Sequence, residues 1–193
     1  MPLEIPQDLM KTLNKPMDAS PEVDSVHEKL DSAVGSQVTK VITLSASNTT
    51  ASENIFQITG TVEITSLHGG IADTTVLTNL TAAHFDLYDS TAAVDITRNQ
   101  GVLSGLAVGT FFVKDGAVAN DFSVCDNVAG AICEPASGNR AFAPFLLTQK
   151  TGANTFVRFT YTTTDAPINA QLRIEIRYIA HHDGNAEGTL VAV

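Results

Sequence analysis

Residues with side chains suited to chemistry are sparse in this chain, and the densest group is His181, His182 and Asp183. Imidazole and carboxylate groups are common metal ligands. Adjacent residues that leave a strand point to opposite faces, so only His181 and Asp183 could converge on one ion. Asp183 followed by Gly184 is also a common beginning of a turn. The sequence therefore predicts a turn here and no metal site, unless three copies of the chain each supplied one histidine.

A second group, His84, Asp86 and Tyr88, alternates along one predicted strand and so shares a face, with Asp89 at the strand exit. Carboxylates and a histidine on one face could perform acid/base chemistry. A glycoside hydrolase, however, needs two carboxylates that flank the substrate, one of them in an apolar pocket. The sequence supplies neither the pocket nor a suitable second carboxylate, so we expect no catalysis from this group.

The familiar catalytic and cofactor motifs are missing from the chain. It contains no GxSxG elbow, HExxH pair, phosphate-binding GxxxxGKS/T loop or GxGxxG fingerprint. Cys125 and Cys133 could close a hairpin disulfide or remain two thiols, and with no histidine nearby they do not form a zinc site. The sequence predicts a protein without catalytic residues, metal or cofactor.

The charge of the chain excludes two kinds of partner. It has 21 acidic and 11 basic residues among 193, a net charge of −10. This charge opposes binding to nucleic acid or to an anionic membrane. No apolar run is long enough to span a bilayer, and the N-terminus lacks the pattern of a signal peptide. The length suits one domain with a short appendage.

From Val38 onward, apolar and polar residues alternate with a period of two, which is typical of half-buried β-strands. One alternation runs through 55–65 and predicts a single long strand with a bend or bulge at Gly60. His68, Gly69 and Gly70 resemble a turn. The complete set of predicted strands is 38–46, 55–65, 82–88, 93–98, 106–113, 117–124, 141–148, 155–163, 170–180 and 188–192. The pattern predicts an all-β, antiparallel β-sandwich over 38–193 and favours a jelly roll over an immunoglobulin-like fold.

The strand Gln171–Ala180 separates apolar from charged residues most clearly. Arg173, Glu175 and Arg177 share one face, and Leu172, Ile174, Ile176 and Tyr178 share the other. The charged face could form ion pairs with a neighbouring copy at an oligomer interface. The pattern favours the other interpretation, a solvated outer face with cross-strand charge pairs inside one chain.

Residues 1–37 differ from the rest and are predicted to form an extended arm, because they are proline-bearing, acidic and without aromatic residues. Ser20, Pro21 and Glu22 are typical of a helix start, and a short helix is predicted over about 21–34. A helix this short needs a partner to be stable. Two apolar clusters are expected to bind that partner: Leu9, Met10 and Leu13, and then Val23, Val26 and Leu30.

The sequence combines an acidic arm, a Thr-rich β domain and a final strand, Arg173–Ile179, that continues to His182-Asp183-Gly184. This combination has a known parallel. It resembles the small virion proteins of tailed bacteriophages, namely the capsid decoration or cement proteins and related spike subunits. His182 stands where such proteins have an acid. The resemblance implies a jelly-roll homotrimer on the capsid surface of the virion, which binds the major capsid protein and stabilises the lattice without catalysis.

Two other functions remain open at this stage. A receptor-binding or adhesin-type knob of a phage fibre or spike would also be a β-rich oligomer, although the arm is too short for a shaft. An enzyme acting on polysaccharide is the third, and sparse aromatic residues and the absence of Trp weaken any sugar-binding interpretation.

Overall fold

A computed structural model describes residues 35–44, 49–72, 80–99, 106–114, 122–125, 144–163, 170–182 and 187–193. The chain divides into two units, Met1–Val34 and Gly35–Val193, and all of the described residues belong to the second. The helix predicted over 21–34 and the two apolar clusters of the arm lie outside the described residues. None of the described residues is helical, so no membrane-spanning helix is found among them.

The described residues contain eleven strands and no helix. They are β1 (Ser36–Leu44), β2 (Thr50–Thr59), β3 (Thr61–Ile71), β4 (Leu80–Tyr88), β5 (Ala93–Asp95), β6 (Phe111–Lys114), β7 (Phe122–Cys125), β8 (Phe145–Thr148), β9 (Thr155–Thr163), β10 (Ala170–His181) and β11 (Thr189–Ala192). The all-β prediction is confirmed.

The strands form two antiparallel sheets. Sheet A has the order β1-β10-β3-β6-β7, and β8 also pairs with β3. Sheet B has the order β11-β2-β9-β4-β5. β6 pairs with His68–Gly70 of β3, whereas β8 pairs with Thr61–Ile64, so these two short strands lie along different parts of the same edge. This arrangement of two sheets is sandwich-like, as predicted.

The core lies where the inward-facing side chains of both sheets meet in one hydrophobic cluster. In β10, Leu172, Ile174 and Ile176 are buried, while Arg173 and Arg177 are exposed, which confirms the predicted alternation. Full burial of an aliphatic side chain of this size contributes about 1.5–3 kcal/mol. The period of two therefore determines which face of each sheet is left for function.

The single strand predicted over 55–65 is wrong, because Gly60 ends β2 and the chain passes from sheet B into sheet A. Gly60 has φ +64°, a conformation that L side chains rarely adopt. A Cβ at this position would also lie 3.2 Å from the Cα of Gly188. The alternation continues across the corner, so the hydrophobic pattern alone shows one strand where the backbone makes two.

The turn predicted at His68-Gly69-Gly70 is also wrong, because these residues lie inside β3. A Cβ at Gly69 would be 3.1 Å from the carbonyl oxygen of Arg173, and one at Gly70 would be 3.2 Å from the Phe111 ring. Glycine in a strand often marks such a close approach of a neighbour. Gly69 faces the core beside Phe112 and Ile174, whereas Gly70 faces outward and leaves a low area on the sheet surface beside the Phe111 ring.

Candidate functional site

The outer face of sheet A, called face A below, brings together residues that are far apart in the sequence. The strand register places Val41, Arg173, Gly70 and Phe111 side by side across β1, β10, β3 and β6. Phe111 is 52% exposed and Val41 is 46% exposed. Two exposed apolar side chains, an arginine and a glycine thus lie in one row across face A.

Glu175 is at the centre of a hydrogen-bonded network on face A. Its Oε1 lies 3.0 Å from His68 Nε2, and its Oε2 accepts a longer bond of 3.4 Å from Arg173 Nη2. The Glu175 side chain is mostly buried, whereas the Arg173 side chain is 56% exposed. Glu175 thus has two hydrogen-bonding partners inside the chain, and the exposed Arg173 guanidinium has further N–H donors that can bind an outside group.

A depression of about 330 Å³ lies over the glycines of β3, with His68, Gly70, Phe111, Arg173 and Glu175 among its lining residues. Pockets for small molecules have volumes of about 300–1,000 Å³ and combine apolar walls with a few placed polar groups. This depression has both. The sequence pointed to Arg173 and Glu175, but not to Phe111 or Gly70, because only the strand register joins them.

The opposite end of face A carries exposed apolar and charged side chains. Leu146 of β8 is 60% exposed and lies opposite Glu63, which in turn lies opposite Ile179. The predicted interface residues Arg173, Glu175 and Arg177 do share face A, with Arg177 toward this second end. Their role in an oligomer stays a prediction.

The His181 group forms ordinary strand contacts. His181 ends β10, and its Nε2 lies 3.1 Å from Glu63 Oε2. His182 forms an isolated bridge with Glu187, and Asp183 lies outside the described residues. Within the described ranges, no three histidine, cysteine, aspartate or glutamate side chains are arranged to hold a metal ion. Cys125 ends β7, and Cys133 lies outside those ranges, so a bond between them stays a prediction.

The outer face of sheet B, called face B below, carries the predicted group His84, Asp86 and Tyr88 on one side of β4. Asp86 is fully buried, and it accepts hydrogen bonds from Arg158 Nε at 2.9 Å and Thr160 Oγ1 at 2.7 Å. The Arg158 guanidinium lies 4.1 Å from the centre of the Tyr88 ring, a cation–π contact. The Asp86 carboxylate is therefore fully engaged by its neighbours.

His84 is aimed by a distortion of β4. The register with β9 shifts between Thr81 and His84, and Ala82 has φ +51°. His84 Nδ1 lies 2.8 Å from the Ala82 carbonyl oxygen, so this nitrogen carries a hydrogen, because a carbonyl only accepts. Nε2 then lies 3.7 Å from both Asp86 Oδ2 and Asp95 Oδ1. β-Bulges commonly re-aim a side chain in this way.

The rest of face B is a ladder of hydroxyl groups that bond to one another. Thr50 and Thr162 lie 2.8 Å apart, and Ser52 and Thr160 lie 2.9 Å apart, measured between hydroxyl oxygens. These groups satisfy each other across β2 and β9. Face B thus uses its polar side chains internally, and face A is the better candidate for a functional surface.

No family model, curated protein or solved structure matches this chain. Its function must therefore be inferred from the fold and from the two faces.

Proposed function

We propose that this chain is a non-enzymatic virion structural protein, a capsid decoration or cement protein that binds and stabilises the major capsid lattice as a homotrimer on the particle surface. The observation that carries the proposal is the order in which the strands pair. The exposed groups of face A and the composition of the arm add to it.

The pairing supports a jelly roll. When the β6–β7 hairpin and β11 are set aside, eight strands remain, and they pair from the outside inward: β1 with β10, β2 with β9, β3 with β8, and β4 with β5. Successive pairs alternate between sheet A and sheet B. Rolling up one long antiparallel hairpin produces this nested order. Eight-stranded jelly rolls form viral capsid domains, and also lectins and cupins.

A cement protein needs contact area more than a pocket, because many copies of a modest interface add up to strong attachment. Face A offers exposed apolar side chains on three of its strands, at Val41, Phe111 and Leu146. The acidic arm supplies a second contact element, through Leu9, Met10 and Leu13 and through Val23, Val26 and Leu30. In this proposal the arm contacts the major capsid protein.

Contacts between copies are proposed at the second end of face A. Of the predicted interface residues, Glu175 already has His68 and Arg173 as partners within its own chain. Arg177 and Leu146 are both exposed at this end and are proposed to contact a second copy. A threefold cyclic contact there would cover apolar surface that a monomer leaves in water.

The first test is the native mass of the full chain by sedimentation. We expect a homotrimer of about 61 kDa, three times the 20.4 kDa chain. Arg177→Glu should shift the trimer toward monomer. Gln171→Glu adds the same kind of charge to an exposed position of the same strand and should leave the trimer intact. A monomeric full chain at micromolar concentration would overturn the proposal.

The second test separates attachment from assembly. Val26→Asp changes only the predicted arm helix, so it should weaken cosedimentation with capsids that lack the decoration protein, while the trimer survives. Unchanged capsid binding would reject the arm as the anchor. Trimers that bind host cells but not capsids would instead favour a receptor-binding knob.

A further inference from the structure

We propose that the depression on face A binds an acidic saccharide, meaning a pyranose ring that carries a carboxylate. The site belongs to the monomer and lies at the end of face A away from Arg177. This proposal goes beyond the structural function above and does not depend on it.

The carboxylate would bind to Arg173. Its side chain is 56% exposed, and Nη2 makes a long bond of 3.4 Å to Glu175. A guanidinium presents its remaining N–H groups as a fork that matches the two oxygens of a carboxylate. The net charge of −10 repels anions from the molecule as a whole. Any preference for an acidic sugar must therefore arise from this local cation.

The ring of the sugar would pack on Phe111. One edge of the Phe111 ring approaches Gly70 so closely that a Cβ there would lie 3.2 Å from Cδ1. The contact holds the ring over the floor of the depression, and the residue is still 52% exposed. A pyranose has an apolar side of C–H groups, and covering an exposed aromatic ring with it removes apolar surface from water.

The sugar hydroxyls would bond to His68 and Glu175. These two side chains are joined at 3.0 Å, so each holds the other in place, and the His68 side chain is 30% exposed. A hydroxyl can both donate to a carboxylate oxygen and accept from an N–H group. The volume of about 330 Å³ is near the lower limit for small-molecule pockets, which suits a single sugar residue.

An extended peptide fits this floor less well. At Gly69 and Gly70, β3 is paired with β10 on one side and with β6 on the other. The backbone amides of the floor are therefore committed to the sheet and cannot add a peptide as a further strand. A peptide lying there would bury its own backbone groups without partners, which is costly. The side chains of His68, Arg173 and Glu175 offer polar groups to the depression.

The test is a titration of the full-length, natively folded protein, followed by amide chemical shifts, with glucuronic acid, galacturonic acid and N-acetylneuraminic acid as separate probes. Glucose is the neutral control. We expect saturable binding of at least one acidic sugar, and binding of glucose that is about tenfold weaker or absent, because a charge-assisted bond is lost. Arg173→Gln and Phe111→Ala should each lower the affinity by about tenfold.

Arg177→Gln is the matched control, since it removes the same group from the same face of β10 but outside the depression. It should leave the affinity unchanged. The proposal is overturned if no acidic sugar binds saturably, or if Arg177→Gln weakens binding as much as Arg173→Gln. An acetylated and amidated Asp-Leu dipeptide that bound more tightly than every sugar would reassign the site to peptides. None of these outcomes alters the native mass, so failure here is separate from failure of the trimer.

Discussion

Faces A and B are built from the same kind of antiparallel sheet, yet they treat their polar side chains in opposite ways. On face B, the buried Asp86 carboxylate is bonded to Arg158 and Thr160, and the hydroxyl groups beside it bond to one another. On face A, Glu175 is satisfied, but Arg173 and Phe111 remain largely in solvent.

The difference shows that polarity alone does not mark a binding surface. The group His84, Asp86 and Tyr88 has the residue types of an active site. Its carboxylate, that of Asp86, instead accepts a hydrogen bond from Arg158 and so joins β4 to β9. Buried charges that are fully paired contribute to a specific fold more readily than to binding. What distinguishes face A is that the Arg173 and Phe111 side chains are more than half exposed and can contact an outside group.

The largest effect is expected from Asp86→Ala on face B. Removal of the fully buried carboxylate leaves Arg158, itself mostly buried, without its ionic partner. Breaking one side of a buried pair destabilises a protein by about 3 kcal/mol or more. Urea unfolding should show this loss. Glu175→Ala on face A should cost about 1 kcal/mol, and equal costs for the two variants would remove the distinction between the faces.

A medium effect is expected from Thr160→Val, which keeps the β-branched shape and removes the hydroxyl group. Thr160 donates to Asp86 and also bonds to Ser52, so the loss should be about 1.5 kcal/mol in the free energy of unfolding. Thr50→Val is the control, because among the described residues the Thr50 hydroxyl bonds to that of Thr162 at an exposed site, and its loss should cost less than about 0.5 kcal/mol. If Thr160→Val left the free energy of unfolding unchanged, the hydroxyl ladder would make no contribution to stability.

A pH-dependent effect is expected at the turn that follows β4. The Lys150 ammonium, 2.6 Å from Asp89 Oδ2, together with the Thr91 hydroxyl and the Ala92 and Thr91 amides, holds the pKa of Asp89 well below its usual range. Because the folded-state pKa is lowered, the stabilisation is complete above the ordinary aspartate pKa of about 3.9 and is lost as the pH falls below it.

Asp89→Asn should therefore be less stable than the unmodified protein at pH 7, and the gap should narrow in urea titrations at decreasing pH below 4. A gap that stayed constant over this range would show that the charge of Asp89 does not stabilise the turn.

The smallest effect on folding is expected from Leu146→Ser on face A and Val191→Ser on the edge strand of sheet B. Both residues are more than half exposed, so each change should alter the free energy of unfolding by less than about 0.5 kcal/mol. Sedimentation should distinguish the two variants. Only Leu146→Ser should weaken the oligomer, because only Leu146 lies in the proposed contact between copies. If Val191→Ser alone dissociated the oligomer, sheet B and not sheet A would supply the interface.

Much of the fold could be predicted from the sequence because its signal is local. The strand predicted over 155–163 coincides with β9, and the one over 170–180 differs from β10 by one residue. Alternation of apolar and polar residues is enough for such elements. The strands predicted over 106–113 and 117–124 are shorter in the described residues, at Phe111–Lys114 and Phe122–Cys125.

The errors arose where distant residues decide the local structure. Gly60 is a corner because of its positive φ and the closeness of Gly188, which no window around residue 60 reveals. Gly69 and Gly70 lie in a strand because Arg173 and Phe111 approach them closely. The depression was missed for the same reason, since its ring and its guanidinium come from strands that meet only through the register of β3.

The nested pairing also has a consequence in time. β4 and β5 are close along the chain and can meet early, but β1 has to wait for β10, which follows it only after eight other strands. Sheet A cannot close until β10 has left the ribosome. Proteins dominated by such distant pairings fold in about milliseconds to seconds, whereas helical bundles take microseconds to milliseconds. During that interval the nine residues of β1, which follow the arm in the sequence, have no strand of their own chain to pair with. An unpaired strand edge can pair with another chain. Slow synthesis, a low concentration of nascent chains or a bound chaperone would prevent such premature pairing.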